Sequence, residues 1–216
     1  MTTWRRLPPV VGVSPGDHGE QRRIDWLVEA ATRGGLTMLV LREPLLDRQA
    51  YVDLARRLAP WLGEGLVLHG KHPDALALAE SAGWGLHLPA GADLRAARAR
   101  VKGLLGASCH TALDLAAARV ARCDYAFVSP VYHPTSKADD DRHPLGIRGL
   151  ADLCHAVDMP VVALGGITAG RVSACRTAGA AAIAVLGALF PPGAVAEDCE
   201  KAARALFEAW GPVARS

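Results

Sequence analysis

Short, nearly continuous apolar runs alternate along this chain with longer amphipathic stretches. Eight runs stand out, at Pro9–Val13, Leu36–Leu41, Gly65–His69, Gly85–Leu88, Leu104–Ser108, Tyr125–Ser129, Val161–Leu164 and Ala182–Leu186. Their branched content, with little polar alternation, predicts strands buried on both faces. Between them lie Ala-, Leu- and Arg-rich segments with helical spacing, among them Arg48–Leu62, Asp74–Ala82, Leu94–Val101, Ala112–Ala121, Arg171–Ala178 and Ala194–Trp210, and a further helix is predicted to begin near Ile147. Strand–helix alternation implies a parallel sheet joined by right-handed crossovers. Eight such units in 216 residues predict an α/β fold, a single-domain (β/α)8 TIM barrel over residues 1–216. An open doubly wound sheet is the competing architecture, but the first strand lacks its Gly-rich dinucleotide fingerprint.

Composition narrows the class. Hydrophobic residues make up 50% and charged residues 21%, as in an ordinary globular protein. A formal net charge of +2, with Arg interleaved among Asp and Glu, gives no reason to expect nucleic acid as a partner. No apolar run is long enough to span a bilayer. The start, Met1-Thr2-Thr3-Trp4-Arg5-Arg6, has no apolar signal-peptide core behind it, so no membrane partner and a cytoplasmic location are expected. Cys109, Cys123, Cys154, Cys175 and Cys199 are scattered without a CxxC pair, which supports neither a disulfide framework nor a zinc knuckle. Oligomeric state, a homo-oligomer included, is left open.

Chemistry is expected at the C-terminal ends of the strands, because a barrel of this kind presents its loops there. Strand two ends in Arg42-Glu43, strand three in His69-Gly70-Lys71, and strand five in Ser108-Cys109-His110-Thr111. Strand four carries His87 inside an apolar run, where a satisfied core histidine competes with a ligand contact. Strands seven and eight end in Gly165-Gly166 and Leu186-Gly187. Paired glycines before a helix, with Thr168 placed to cap it, suit an anion at exposed backbone N–H groups. An isolated Gly-Gly also serves as a plain tight turn. Pro130–Gly146 (PVYHPTSKADDDRHPLG) is a long polar segment expected to act as a mobile active-site loop. It carries His133, Ser136, Lys137 and the solvating run Asp139-Asp140-Asp141. Cations, imidazoles and glycine turns at one mouth suit a phosphorylated substrate and a step needing proton transfer. A zinc held by His69, His87 and His110 lacks a close-spaced ligand motif, and no metal site is predicted.

The same residues, in order, resemble the thiamine phosphate synthase/TenI family. Gly35–Glu43 is similar to its second strand, Gly85-Leu86-His87-Leu88 to its Gly-Val-His-Leu, and Gly106–Thr111 to its Gly-x-Ser-x-His-Thr. Cys123–Tyr132, Pro144-Leu145-Gly146, Gly165-Gly166-Ile167-Thr168, and Gly179-Ala180 followed by Ala184-Val185-Leu186 match further segments. The resemblance covers nearly the whole chain and implies a barrel enzyme of thiamine biosynthesis. Synthases of the family join hydroxymethylpyrimidine pyrophosphate to a thiazole phosphate using magnesium. TenI-type members isomerise a thiazole phosphate carboxylate to its aromatic tautomer. Both imply phosphate binding at Gly165 and Gly166, with Leu186 and Gly187.

Departures from the synthase pattern shape the functional expectation. The Gln and Lys flanking the strand-two Arg are Val40 and Pro44 here. The Asn-Asp after strand three is His69-Gly70, and the next acidic ligand falls on Pro89-Ala90-Gly91-Ala92, with Asp93 matching after a one-residue slip. Thr-x-Thr-Lys becomes Pro134-Thr135-Ser136-Lys137. Magnesium favours carboxylates alongside substrate phosphates, so the pattern implies a lost metal–pyrophosphate half and a retained monophosphate site. The expected function is a TenI-like thiazole tautomerase without cofactor, acting on a phosphorylated thiazole. His69, His110 or His133 would supply the base, and Arg42, His87, Ser108 and Lys137 would contact substrate. TenI-type enzymes place a His directly after the strand-six Gly, where this chain has Pro130. A divergent, magnesium-dependent synthase and a non-catalytic phosphate-ligand-binding barrel are the alternatives.

Overall fold

The computed structural model describes residues 7–16, 23–133 and 143–212. Eight parallel strands close into a barrel in simple sequence order. They are β1 (Val10–Val13), β2 (Leu39–Leu41), β3 (Leu66–His69), β4 (Gly85–Leu88), β5 (Leu105–Cys109), β6 (Tyr125–Val128), β7 (Val161–Leu164) and β8 (Ala182–Val185). The crossovers are α1 (Ile24–Arg33), α2 (Arg48–Leu62), α3 (Ala75–Ala82), α4 (Leu94–Arg100), α5 (Ala112–Val120), α6 (Gly146–His155), α7 (Ala169–Thr177) and α8 (Ala196–Trp210). The predicted (β/α)8 barrel is therefore the observed one. Several strands are shorter than their apolar runs. Leu36 and Met38 precede β2 yet are fully buried, because the chain enters the barrel through its packed floor. Apolar content follows burial, not the hydrogen-bond ladder.

Helix α1 is not among the segments that Ala/Leu/Arg richness marks. Its buried positions Ile24, Leu27, Val28, Ala30 and Ala31 nonetheless follow helical spacing. In α2, Tyr51, Leu54, Ala55, Leu58 and Leu62 face the barrel, and Asp47 caps the helix by accepting from Ala50 N at 2.9 Å. The Tyr51 hydroxyl then donates to the Leu41 carbonyl at 3.1 Å, locking α2 to the end of β2. Thr111 and Asp114 form a reciprocal capping box on α5. Thr168 does occupy the N-cap position of α7, but its side chain makes no capping bond, contrary to the sequence expectation.

The strand period of two sorts the core into two clusters. Leu39, Leu41, Leu66, Leu68, Leu86, Ala126, Val128, Ala163 and Ile183 pack outward against the helices. Val11, Val13, Met38, Val40, Val67, Tyr125, Phe127, Val162, Ala182 and Ala184 fill the barrel interior. The inward phase, continued to the strand ends, reaches Arg42, His69, His87, Ser108 and Leu186. The barrel geometry thus delivers these residues to one mouth.

Candidate active site

A cavity of about 580 Å³ opens at that mouth. Arg42, His69, His87, Ser108, His110, Gly165, Gly166, Leu186 and Gly187 all line it, as do Lys71, Ser129 and Thr168. Val13, Val40, Phe127, Leu164 and Ala184 supply apolar wall, so a ring with polar substituents fits the lining chemistry. Of the sequence-predicted site residues, His133 is the one described residue outside this lining; its side chain is exposed at the base of the β6–α6 connection. Lys137, Ser136 and Asp139–Asp141 lie outside the described residues, as does the predicted mobility of most of Pro130–Gly146.

Lys71 has no role in the sequence reading, although its inward phase, two residues after His69, is a legible sign. It and Arg42 are the cationic neighbours that, after burial itself, hold the His69 imidazole down at about 4. Arg42 is also tied to the adjacent loop, through Nη1 to the Pro15 carbonyl at 3.2 Å and through its own amide to Ser14 Oγ at 2.7 Å. A held Arg42, an exposed Lys71 and no carboxylate among the lining residues make this side of the mouth an anion-favouring corner.

The histidines are chemically distinct. His69 Nδ1 accepts from the Lys71 amide at 3.1 Å, so the neutral ring carries its proton on Nε2. With its pKa near 4, it is a neutral hydrogen-bond donor at physiological pH. His110 is the reverse case. Its Nδ1–H donates to the Ser129 carbonyl at 2.8 Å, so in a neutral ring the acceptor nitrogen is Nε2. The Asp114 carboxylate accepts from the His110 amide at 2.9 Å and anchors the residue at the start of α5. His87 is buried with both nitrogens engaged, Nδ1 with Tyr125 Oη at 3.2 Å and Nε2 with Ser108 Oγ at 3.0 Å. His87, expected to contact substrate, lines the cavity with both ring nitrogens already engaged within the protein. Burial, and secondarily His69, pushes the His87 pKa well below the ordinary imidazole value.

Burial of neutral His69 carries a pH-dependent stability. An unfolded His69 takes up a proton near pH 6.5, whereas the folded one stays neutral down to about pH 4. Its contribution is complete above 6.5 and is lost as pH falls through that window, on the order of 3 kcal/mol in all. Urea midpoints at pH 7 and pH 4.5 are expected to differ less in His69→Asn than in the parent. Equal differences would show that His69 does not titrate as described.

The twin glycines have a packing role. Gly165 (φ 103°) and Gly166 (φ 60°) both have left-handed backbone. The segment after β6 is laid against them, with Val131 N donating to the Leu164 carbonyl at 2.9 Å and Tyr132 N to the Gly165 carbonyl at 3.1 Å. A Cβ at Gly165 would lie 2.8 Å from Pro130 Cα, and one at Gly166 would lie 2.8 Å from Tyr132 Cβ. Arg171 seals the turn, stacking over the Tyr132 ring at 4.4 Å and donating to the Gly166 carbonyl at 2.5 Å.

Magnesium, which the resemblance implies for a synthase, finds no matching donor set among the described residues. The cavity lining has no Asp or Glu. Asp93 is used as the cap of α4, accepting from Ala96 N at 3.0 Å. Glu43 is buried and its Oε1 accepts from Gly16 N at 3.2 Å. No cluster of three or more His, Cys, Asp or Glu suited to a metal occurs among the described residues.

Fold and site together define a class: (β/α)8 barrels with a cationic, histidine-lined cavity at the C-terminal mouth. Comparison with known proteins carries this further. The family model described as thiamine monophosphate synthase (TMP-TENI) matches residues 10–189, and the chain belongs to that family. The thiamine-phosphate synthase of Bordetella pertussis is 35% identical over 219 aligned positions, covering 97% of this chain and 98% of that protein. The thiamine biosynthesis bifunctional protein ThiM/ThiE of Symbiobacterium thermophilum is 35% identical over 188 residues, 84% of this chain but 38% of its own length. Among solved structures, the thiamine phosphate pyrophosphorylase of Pyrococcus furiosus superposes with a TM-score of 0.76 at 22% identity, over 93% of this chain and 94% of that one. That likeness concerns the fold. No described helix is long and apolar enough to cross a membrane.

Proposed function

We propose that this family member is a proton-transfer isomerase of a phosphorylated thiazole carboxylate, acting without a bound cofactor. The observation that carries the reading is the lining of the mouth: fixed imidazoles, hydroxyls and two cations, with no carboxylate among the described residues. His110 is the base: its ring lines the cavity and its Nδ1 is fixed on the Ser129 carbonyl, so proton transfer runs through Nε2. The proton returns to another position of the same heterocycle, so no atom is gained or lost. His69 donates from Nε2 to substrate, and its low pKa keeps it a neutral donor. Gly165, Gly166, Leu186 and Gly187 form the phosphate side, and Arg42 and Lys71 face a second anionic group. His133 takes no part in this reading.

Two measurements on purified protein test it. The thiazole carboxylate phosphate is followed for conversion to the aromatic tautomer, and for deuterium uptake from D2O, in the presence of EDTA. Conversion under those conditions is the expected result. A second reading, a divergent synthase, is favoured by the names of relatives that match almost end to end. Thiamine phosphate formed from the two synthase substrates only when magnesium is added, with no isomerisation, would establish that reading and overturn the first.

Removing either cationic side chain is expected to weaken substrate binding. Lys71→Met and Arg42→Met should each raise the Kd by about 10- to 100-fold, the range for a charge-assisted hydrogen bond. Calorimetric titration reads this directly. An unchanged Kd in Lys71→Met would remove Lys71 from the anion corner.

A further inference from the structure

His87, Gly106 and Tyr125 stand level across three adjacent strands. His87 pairs in register with Gly106, and Gly106 with Tyr125. A side chain on β5 at this level would separate the other two. Glycine leaves the gap open, and a Cβ there would come within 2.5 Å of both Tyr125 Cε2 and Oη. Through that gap the Tyr125 hydroxyl reaches His87. One inward step along β5 from Gly106, Ser108 meets the other side of the imidazole and lines the cavity. Phe127 packs on the His87 ring with centroids 4.2 Å apart, fixing its plane.

The direction of this chain of hydrogen bonds follows from burial. Tyr125 is 0% exposed, and burial raises its pKa well above the ordinary phenol value, so it keeps its proton. Among the described residues, His87 Nδ1 is the hydrogen-bond partner of that hydroxyl. The reverse arrangement, with His87 donating from Nδ1, would leave a buried phenol proton without an acceptor there, a costly state. Tyr125 therefore donates to Nδ1, the neutral His87 ring holds its proton on Nε2, and Nε2–H donates to Ser108 Oγ. The Ser108 hydroxyl then has its own proton to give. Hydrogen bonds aligned head to tail also polarise one another in the same direction.

We propose that Tyr125 and His87 are positioning residues that set Ser108 as a hydrogen-bond donor, and not as a nucleophile or base, toward an anionic oxygen of the ligand in the cavity. The proposal deepens the site reading above and holds for either reaction. His87 is a strap between the phenol and the serine, which explains why a histidine buried to 1% exposure sits beneath a polar mouth.

The test is read on the whole protein without turnover. Long-range 1H–15N correlation spectra should show His87 as the Nε2–H tautomer, neutral from pH 8 to pH 5. In Tyr125→Phe the Nδ1 acceptor loses its donor, and the population should shift toward Nδ1–H. Affinity for inorganic phosphate, followed by titration, should fall about three- to tenfold in Ser108→Ala. Tyr125→Phe should weaken it in the parent and have no further effect in the Ser108→Ala background. An Nδ1–H tautomer in the parent overturns the relay. Additive losses overturn the coupling, and unchanged phosphate affinity in Ser108→Ala overturns the assignment of the donor to an anion. Absence of isomerase activity would leave all three readouts standing, so the two readings fail separately.

Discussion

Replacing His110 by glutamine is expected to cut isomerase turnover by about 10²- to 10⁴-fold, the usual worth of a positioned general base. A glutamine amide can still donate to the Ser129 carbonyl that holds His110 Nδ1, but it offers no basic nitrogen. Binding should therefore change little while kcat falls, the pattern of an interaction made only in the transition state. His133→Gln is expected to keep its rate, since that side chain is exposed and outside the cavity lining. Steady-state rates and a calorimetric Kd for each variant check both statements. A fully active His110→Gln enzyme would take the base away from this residue.

Gly106→Ala should produce a large structural effect for a single added methyl. The new carbon would collide with the Tyr125 ring and hydroxyl within a fully buried layer. Relief requires the phenol to swing away from His87, because the colliding partner is part of a ring wedged beside Phe127, with centroids 5.4 Å apart. Overpacking of this kind costs about 1–3 kcal/mol, and the displaced hydroxyl loses its acceptor in addition. Urea unfolding should show a lower midpoint with an unchanged slope. A variant as stable as the parent would mean that the interior layer yields more easily than its packing implies.

Much of the barrel is legible in the linear chain. Parallel strands covered on both faces must be apolar on both faces, so β4 and β7 coincide with their apolar runs at both ends. Helix α2 likewise coincides with its predicted range, because an Asp cap begins it and Gly63, with φ 53°, follows its end. Other boundaries move by one to a few residues, since burial continues past the hydrogen-bond ladder at Leu36–Met38. Helix α1 carries the right spacing but little of the Ala/Leu/Arg richness that marks its neighbours. Thr168 shows the limit of local reasoning about caps: the position is right, and the side chain makes no bond.

The site divides in the same way. Chain order and a period of two suffice to bring Arg42, His69, His87, Ser108 and His110 to one mouth, as does the rule that barrel loops after the strands surround the cavity. Residue type alone, however, made His69, His110 and His133 equivalent candidates. Asp93 shows the same degeneracy, matching a metal ligand by position yet serving as a helix cap.

The sequence by itself determined the alternation of strands and helices, the count of eight such units, and the inward phase that collects polar groups at the strand ends. Those properties rest on local periodicity, which each segment carries within itself. Only the tertiary structure decided which imidazole donates and which accepts. For His110 and His87 that choice depends on partners 19, 21 and 38 residues away, brought close by barrel closure, while His69 takes its Nδ1 donor locally from the Lys71 amide. It also depends on a glycine gap that has meaning only when three strands stand side by side. Long-range hydrogen bonds and steric voids arise when the barrel closes, because burial then forces each polar proton to find its acceptor.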